Sequence, residues 1–66
     1  MTLEAVWFKN GKAIYWVDPV WDVSVGDDTD DLRSIRVFNG YYWYSVADCD
    51  ETPDDFVIRI KRSTTP

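Results

Sequence analysis

The alternation of apolar and polar positions along this 66-residue chain predicts β-strands over nearly its whole length. The segments VWDVSVG (20–26) and FVIRIKR (56–62) alternate with a period of two, which is typical of strands with one buried side. No window sustains a helical spacing of apolar residues, and β-branched and aromatic residues dominate the apolar positions. We therefore predict an all-β protein with little or no helix and about six strands, at 3–9, 12–17, 21–26, 32–38, 41–47 and 56–62.

Two Asn-Gly pairs predict how neighbouring strands are joined. Asn10-Gly11 separates the first two strands, and Asn39-Gly40 separates the fourth from the fifth. This pair is the preferred centre of a two-residue hairpin turn, because both residues tolerate positive φ. Pro19 and Pro53 are predicted to lie in loops, since proline cannot donate to a central ladder.

Six short antiparallel strands in so few residues predict a strongly bent sheet. Closure into a closed or partly closed barrel of SH3-like size is favoured, with a two-layer sandwich as the alternative. The chain is long enough for one domain, so we predict a single compact β domain over 1–62 and a frayed tail over 63–66.

The aromatic run of the second hairpin divides between two sides of the sheet. A two-residue turn at Asn39-Gly40 places Phe38 opposite Tyr41, Val37 opposite Tyr42, Arg36 opposite Trp43 and Ile35 opposite Tyr44. Tyr42 and Tyr44 then point inward with Ile35, Val37 and Val46. The outward residues, predicted to contact a partner, are Phe38, Tyr41, Trp43 and Arg36. The alternatives are ordinary cross-strand pairs, with Arg36 resting on Trp43, and a stacking platform for a sugar or base.

The first hairpin is apolar on both sides. One predicted side carries Leu3, Ala5, Trp7, Ile14 and Trp16, and the other carries Val6, Phe8, Tyr15 and Val17. One of these sides must be covered by a loop or a partner, so a homo-oligomer formed through this hairpin is a possible arrangement.

The acidic residues are clustered. Net charge is −5, and two loops hold nine of the 12 acids: Asp27, Asp28, Asp30, Asp31, Asp48, Asp50, Glu51, Asp54 and Asp55. In an up-and-down strand order both loops fall at the same end of the domain and form one negative pole. Three interpretations stay open: solvated loops, a calcium site, and docking onto a basic protein surface, including imitation of nucleic-acid phosphates.

Composition argues against several classes of function. Cys49 is the single cysteine, which excludes an internal disulfide and favours the cytoplasm. The first ten residues predict no signal peptide, and no apolar run is long enough for a membrane span. Net acidity argues against direct nucleic-acid binding. The chain has no His, and acids flank Cys49, so we predict no enzymatic role, no cofactor and, apart from the calcium interpretation of the acidic loops, no metal.

In size and acidity the chain is similar to the small proteins that phages deploy against host nucleases and CRISPR complexes. We therefore predict an acidic protein-binding module of this anti-defence or anti-CRISPR type. It would inhibit a nucleic-acid-handling protein by direct binding, with nucleic-acid mimicry through the acidic loops. The alternatives are a module that binds a small ligand (sugar, nucleotide or methylammonium) and a structural oligomeric subunit.

Overall fold

Six strands and two short 3₁₀ turns make up the part of the chain that the computed structural model describes, residues 2–27 and 31–61. The strands are β1 (Thr2–Lys9), β2 (Lys12–Val20), β3 (Asp22–Val25), β4 (Ile35–Phe38), β5 (Trp43–Tyr44) and β6 (Asp55–Lys61). The 3₁₀ turns are Leu32–Ser34 and Val46–Asp48. The all-β prediction is confirmed, since these residues contain no α-helix. The predicted tail 63–66 lies outside them.

The strands form two antiparallel three-stranded sheets, with the orders β2-β1-β6 and β3-β4-β5. No ladder joins the two sheets among the described residues, so the closed barrel is not found there. Side chains of both sheets nevertheless share one core, which contains Ala5, Trp7, Val17 and Val20 from the first sheet and Ile35 and Val37 from the second. The two sheets are therefore packed over a common apolar interior.

The first hairpin has the predicted two-residue turn. Asn10 and Gly11 have φ values of 53° and 77°, and Lys9 lies opposite Lys12. Beyond this turn the register shifts: Phe8 pairs with Ala13, but the next pair is Trp7 with Tyr15. The extra residue, Ile14, is a β-bulge on β2.

The bulge corrects the predicted sides of the first hairpin. A one-residue register shift moves every later side chain to the other side of the sheet. Tyr15 and Val17, not Trp16, therefore share the core side with Ala5 and Trp7. The rings of Trp7 and Tyr15 lie 5.8 Å apart, whereas Trp16 is 54% exposed on the outer side.

Pro19 corrects a predicted boundary. It lies inside β2, not in a loop after it, and β2 continues to Val20. β2 is an edge strand of its sheet, and an edge strand tolerates proline because its outer N–H groups have no ladder partner. Pro53 lies in a loop, as predicted.

Candidate functional site

The second hairpin turns through a four-residue loop, 39–42, and Asn39 organises it. The Asn39 N–H donates to the Tyr42 carbonyl at 3.2 Å. The Asn39 Oδ1 accepts from the backbone N–H groups of Tyr41 and Tyr42 at 2.9 and 2.8 Å. Gly40 alone in this loop has positive φ, at 102°. Asn39 thus uses its side chain to form the turn, as Asn commonly does, and leaves the two-residue turn unformed.

This loop corrects the predicted register by two residues. Phe38 lies opposite Trp43 and Val37 opposite Tyr44, so Trp43 does not face Arg36. Because side chains alternate with a period of two, a two-residue shift preserves the sides. Trp43 therefore still points outward and Tyr44 still packs against the core. Tyr42 was predicted to be buried, but it lies in the loop and is 54% exposed.

The outer side of the second sheet carries a stacked aromatic pair and a pocket. The rings of Phe38 and Trp43 lie 5.0 Å apart with an interplanar angle of 28°. Beside them, Ser24, Arg36 and Trp43 line a half-open pocket of about 290 Å³. Trp43 thus stacks on Phe38, whereas the predicted register placed it opposite Arg36.

Trp21 is a candidate site residue that sequence reasoning missed. Its alternation with Val23 and Val25 is typical of the buried side of a strand, yet Trp21 is 71% exposed. The backbone N–H of Trp21 donates to the Phe38 carbonyl at 2.7 Å, and its indole ring lies against Gly40. The alternating pattern around it carries no signal of this, because the contact depends on a glycine in another hairpin.

We name the aromatic side chains around the second hairpin the aromatic surface: Trp21, Phe38, Tyr41, Tyr42 and Trp43. Phe38 and Trp43 lie on the outer side of the sheet, whereas Tyr42 lies on the side of Tyr44. Tyr41 at the tip of this surface is 94% exposed. Inside the protein, neighbouring rings connect this surface with the core. Tyr42 contacts Tyr44 edge-on at 4.8 Å, and Tyr44 lies 6.2 Å from Tyr15. The surface therefore stands on packed aromatic side chains and not on a loop alone.

Hydrogen bonds hold the two ends of the first acidic loop, residues 26–31. The Gly26 N–H donates to the Ser34 carbonyl at 2.9 Å. Asp31 caps the turn Leu32–Ser34: its Oδ1 accepts from the Arg33 N–H at 2.9 Å, and its Oδ2 pairs with the Arg33 guanidinium at 2.9 Å. Hydrogen bonds from Arg33 lower the pKa of Asp31. Asp27 is exposed, whereas Asp28 and Asp30 lie outside the described residues.

In the second acidic loop, residues 48–55, Asp48 and Asp54 accept hydrogen bonds from backbone N–H groups. Asp48 completes a capping box, since its Oδ2 accepts from the Ser45 N–H at 2.9 Å. Asp54 Oδ2 accepts from the Asn10 N–H at 2.9 Å, which ties the end of the loop to the first hairpin. Three further acids are exposed, namely Asp50, Glu51 and Asp55.

The two acidic loops meet only in part. The turns Leu32–Ser34 and Val46–Asp48 are neighbours, which brings the end of the first loop close to the start of the second. Asp54 lies at the turn of the first hairpin, and Asp55 begins β6 opposite Phe8. The acids are thus anchored at two different places on the fold.

Cys49 lies in the second acidic loop, between Asp48 and Asp50. Burial, and after it the charges of Asp48 and Asp50, raises the pKa of the Cys49 thiol. Within residues 2–27 and 31–61 no group of three or more Cys, Asp and Glu side chains is arranged to hold a metal. The same residues include no helix long and apolar enough to cross a membrane.

The outer side of the first sheet carries ion pairs. Arg59 on β6 pairs with Glu4 on β1, and Lys61 pairs with Asp18 on β2. Val6 on β1 is fully buried, and its ladder partners on the two neighbouring strands are Trp16 on β2 and Val57 on β6. Trp16 is therefore the exposed apolar side chain of the first hairpin on this side.

Comparison with models of protein families, with curated proteins and with solved structures finds no match to this chain.

Proposed function

We propose that this protein is a small protein-binding module that holds its partner through the aromatic surface. The observation that carries the proposal is the distribution of exposed aromatic side chains. Four of the five, namely Trp21, Tyr41, Tyr42 and Trp43, belong to the second hairpin or lie against it, and only Trp16 lies elsewhere. Trp, Tyr and Phe are enriched as anchors at the centres of protein interfaces.

The acidic loops support a partner with a basic surface. Net charge is −5, and Asp27, Asp50, Glu51, Asp54 and Asp55 are exposed. Such charges steer diffusional encounter with a basic patch and accelerate association. A nucleic-acid-binding protein offers such a patch, so the specific form of the proposal is an inhibitor of a nucleic-acid-handling protein. It would act in the cytoplasm, in the manner of phage anti-defence proteins, by occupying a groove that otherwise binds phosphates.

Capture from bacterial extracts tests this proposal. The wild-type chain and the variants Tyr41→Ala, Trp43→Ala and Trp16→Ala are immobilised, and the captured proteins are identified. We expect a nucleic-acid-binding protein that wild type and Trp16→Ala retain and that both hairpin variants lose. A single-stranded or duplex oligonucleotide should compete with this capture. Capture that is indifferent to Tyr41 and Trp43, or that an oligonucleotide leaves unchanged, would contradict the proposal.

A small-ligand module is the alternative that the pocket beside Trp43 favours. Its volume of about 290 Å³ is near the lower end of the range for small-molecule sites, roughly 300–1,000 Å³. Titration with a sugar, a nucleotide and tetramethylammonium, followed by Trp fluorescence, separates the two functions. Saturation at submillimolar concentration by any of these would favour the alternative, because a module that binds only proteins should not bind a free small molecule this tightly.

Self-association is the structural alternative. Exposed apolar side chains on the first sheet support it: Trp16 on the outer side, and Leu3, Ile58 and Ile60 on β1 and β6. Sedimentation over a hundredfold concentration range tests it, with Trp16→Ala and Ile60→Lys as variants. A monomer at every concentration would remove this function, whereas an oligomer that only Trp16→Ala disrupts would assign it to the first hairpin.

A further inference from the structure

The pocket beside the aromatic surface is built on three neighbouring strands, with one lining residue from each. Ser24 belongs to β3, Arg36 to β4 and Trp43 to β5, and Ser24 lies directly opposite Arg36 in the ladder. The Trp43 ring is held by its stack on Phe38. The Trp43 ring is therefore positioned before a ligand binds, and the strands fix the backbone positions from which Ser24 and Arg36 reach the pocket.

Arg36 differs from the other arginines in the described part of the chain. Arg33 pairs with Asp31 and Arg59 pairs with Glu4. The Arg36 guanidinium makes no hydrogen bond and no ion pair with any residue of 2–27 or 31–61, and the same is true of the Ser24 hydroxyl. The pocket therefore contains the unused N–H donors of a guanidinium, and a hydroxyl, next to an indole ring.

These donors match a carboxylate. The planar fork of arginine binds a carboxylate through two parallel hydrogen bonds, and the guanidinium stays charged at every physiological pH. A phosphate, with its higher charge, is disfavoured by the net charge of −5 and by Asp22, which lies on the same side of the sheet opposite Phe38. The Trp43 ring provides a flat apolar wall for whatever carries the carboxylate.

We propose that the pocket of Ser24, Arg36 and Trp43 binds an acidic side chain of the protein partner, with a neighbouring flat or apolar group lying on Trp43. This inference rests on the proposed function, because it names the partner chemistry at the same surface. A cationic pocket on a protein of net charge −5 also constrains the orientation of the complex. The partner must place one carboxylate here while its basic groups face the acidic loops.

A partner-free titration tests the pocket. The probe is hippurate, which carries a carboxylate beside a benzamide ring, and its neutral control is hippuramide. Amide and side-chain N–H signals are followed by ¹⁵N NMR up to about 20 mM probe, since a ligand this small binds on the order of millimolar. We expect saturable changes at Ser24, the Arg36 Nε–H and the Trp43 Nε1–H with hippurate, and none with hippuramide.

Three variants keep the test specific. Arg36→Gln should weaken hippurate binding at least tenfold, and Arg36→Lys should weaken it several-fold because the fork is lost. Lys12→Gln changes the net charge by the same amount as Arg36→Gln, at an exposed lysine of the first hairpin, and should leave binding unchanged. An unaltered spectrum away from the pocket verifies that each variant is folded.

Several results would overturn the assignment of a carboxylate site. They are no change with hippurate, equal changes with hippuramide, binding that survives Arg36→Gln, and tighter binding of phenyl phosphate than of hippurate. None of these results depends on the capture experiment. A failed titration leaves the aromatic surface standing as a protein-binding surface, and failed capture leaves a verified carboxylate pocket without the proposed partner.

Discussion

The indole ring of Trp21 lies on the backbone of Gly40, where an added Cβ would stand 3.2 Å from Trp21 Cε2. Two segments that are well separated in the chain meet at this contact, which holds the tip of the second hairpin against the start of β3. The position of the Trp21 ring depends on it, because a Cβ at position 40 would crowd the ring by a few tenths of an ångström.

Gly40→Ala should therefore destabilise the protein and move Trp21. Gly40 has φ of +102°, a conformation that costs an alanine about 1–3 kcal/mol, and the new methyl group also crowds the indole. Urea unfolding measures the loss, and the Nε1–H NMR signal of Trp21 reports the displacement. Gly11→Ala is the matched control: its φ of +77° carries a similar penalty, but no atom lies within 4 Å of the added Cβ. An unmoved Trp21 signal in Gly40→Ala would contradict the contact.

Trp43→Ala and Tyr44→Ala should separate binding from stability. Tyr44 packs against the core and contacts Tyr15 and Tyr42, so its removal should cost about 2–3 kcal/mol of unfolding free energy. Trp43 is 41% exposed and stacks only on Phe38 among the described rings, so its removal should cost less than about 1.5 kcal/mol.

Chemical unfolding and partner binding are measured on both variants. Trp43→Ala should lose most of the binding, and Tyr44→Ala should retain binding wherever it remains folded. The reverse ranking would show that Trp43 is a core residue and not a contact residue.

Asp31 should make stability depend on pH at the acid end. Hydrogen bonds from Arg33 hold the folded pKa of Asp31 below the ordinary value of an aspartate, so folding favours the charged carboxylate. The contribution is fully present above the unfolded pKa, near 3.9, and is lost as pH falls through the lower folded pKa. Arg33→Gln should raise the pKa of Asp31 and flatten this dependence below pH about 4. Carboxyl NMR titration of the wild type and of Arg33→Gln measures the pKa of Asp31. Equal pKa values in the two proteins would contradict Arg33 as the cause of the lowered pKa.

Cys49 should react slowly with alkylating agents. Burial and the charges of Asp48 and Asp50 raise its pKa, so less of the reactive thiolate is present near neutral pH. The rate of iodoacetamide alkylation should therefore rise at a higher pH than for a free cysteine, whose pKa is about 8.5. Asp50→Asn should shift the profile only slightly toward lower pH, because burial is the larger cause. A profile at or below that of free cysteine would contradict this prediction.

Exposed acids should govern the rate of association with the partner, not the final contact. The variant Asp27→Lys, Asp50→Lys, Glu51→Lys spares Asp31, Asp48 and Asp54, which hold local hydrogen bonds. Its association rate at low salt should fall about tenfold or more, while its dissociation rate changes little. At about 1 M salt the Debye length is about 3 Å, so the association rates of the wild type and the variant should become equal. Equal rates at low salt would remove the steering role.

The local sequence was sufficient for the elements that depend on alternation and turn chemistry. Asn10-Gly11 forms its two-residue turn because both residues accept positive φ there, and β1, β2, β3 and β6 fall close to their predicted segments. The strands predicted at 32–38 and 41–47 are shorter than predicted, because 3₁₀ turns occupy Leu32–Ser34 and Val46–Asp48 and the loop 39–42 precedes β5. Trp43 points outward as predicted although the predicted register was wrong, because a shift by two residues leaves each side chain on the same side of the sheet.

Tertiary structure decided the rest. The bulge at Ile14 follows from packing Tyr15 and Val17 into the shared core, and it reversed the predicted sides of the first hairpin. A second, identical Asn-Gly pair formed a different turn, with Asn39 bonding to Tyr41 and Tyr42 while Trp21 packs on Gly40. The same dipeptide thus has two outcomes, because a two-residue propensity is weaker than the contacts that the rest of the fold brings to it.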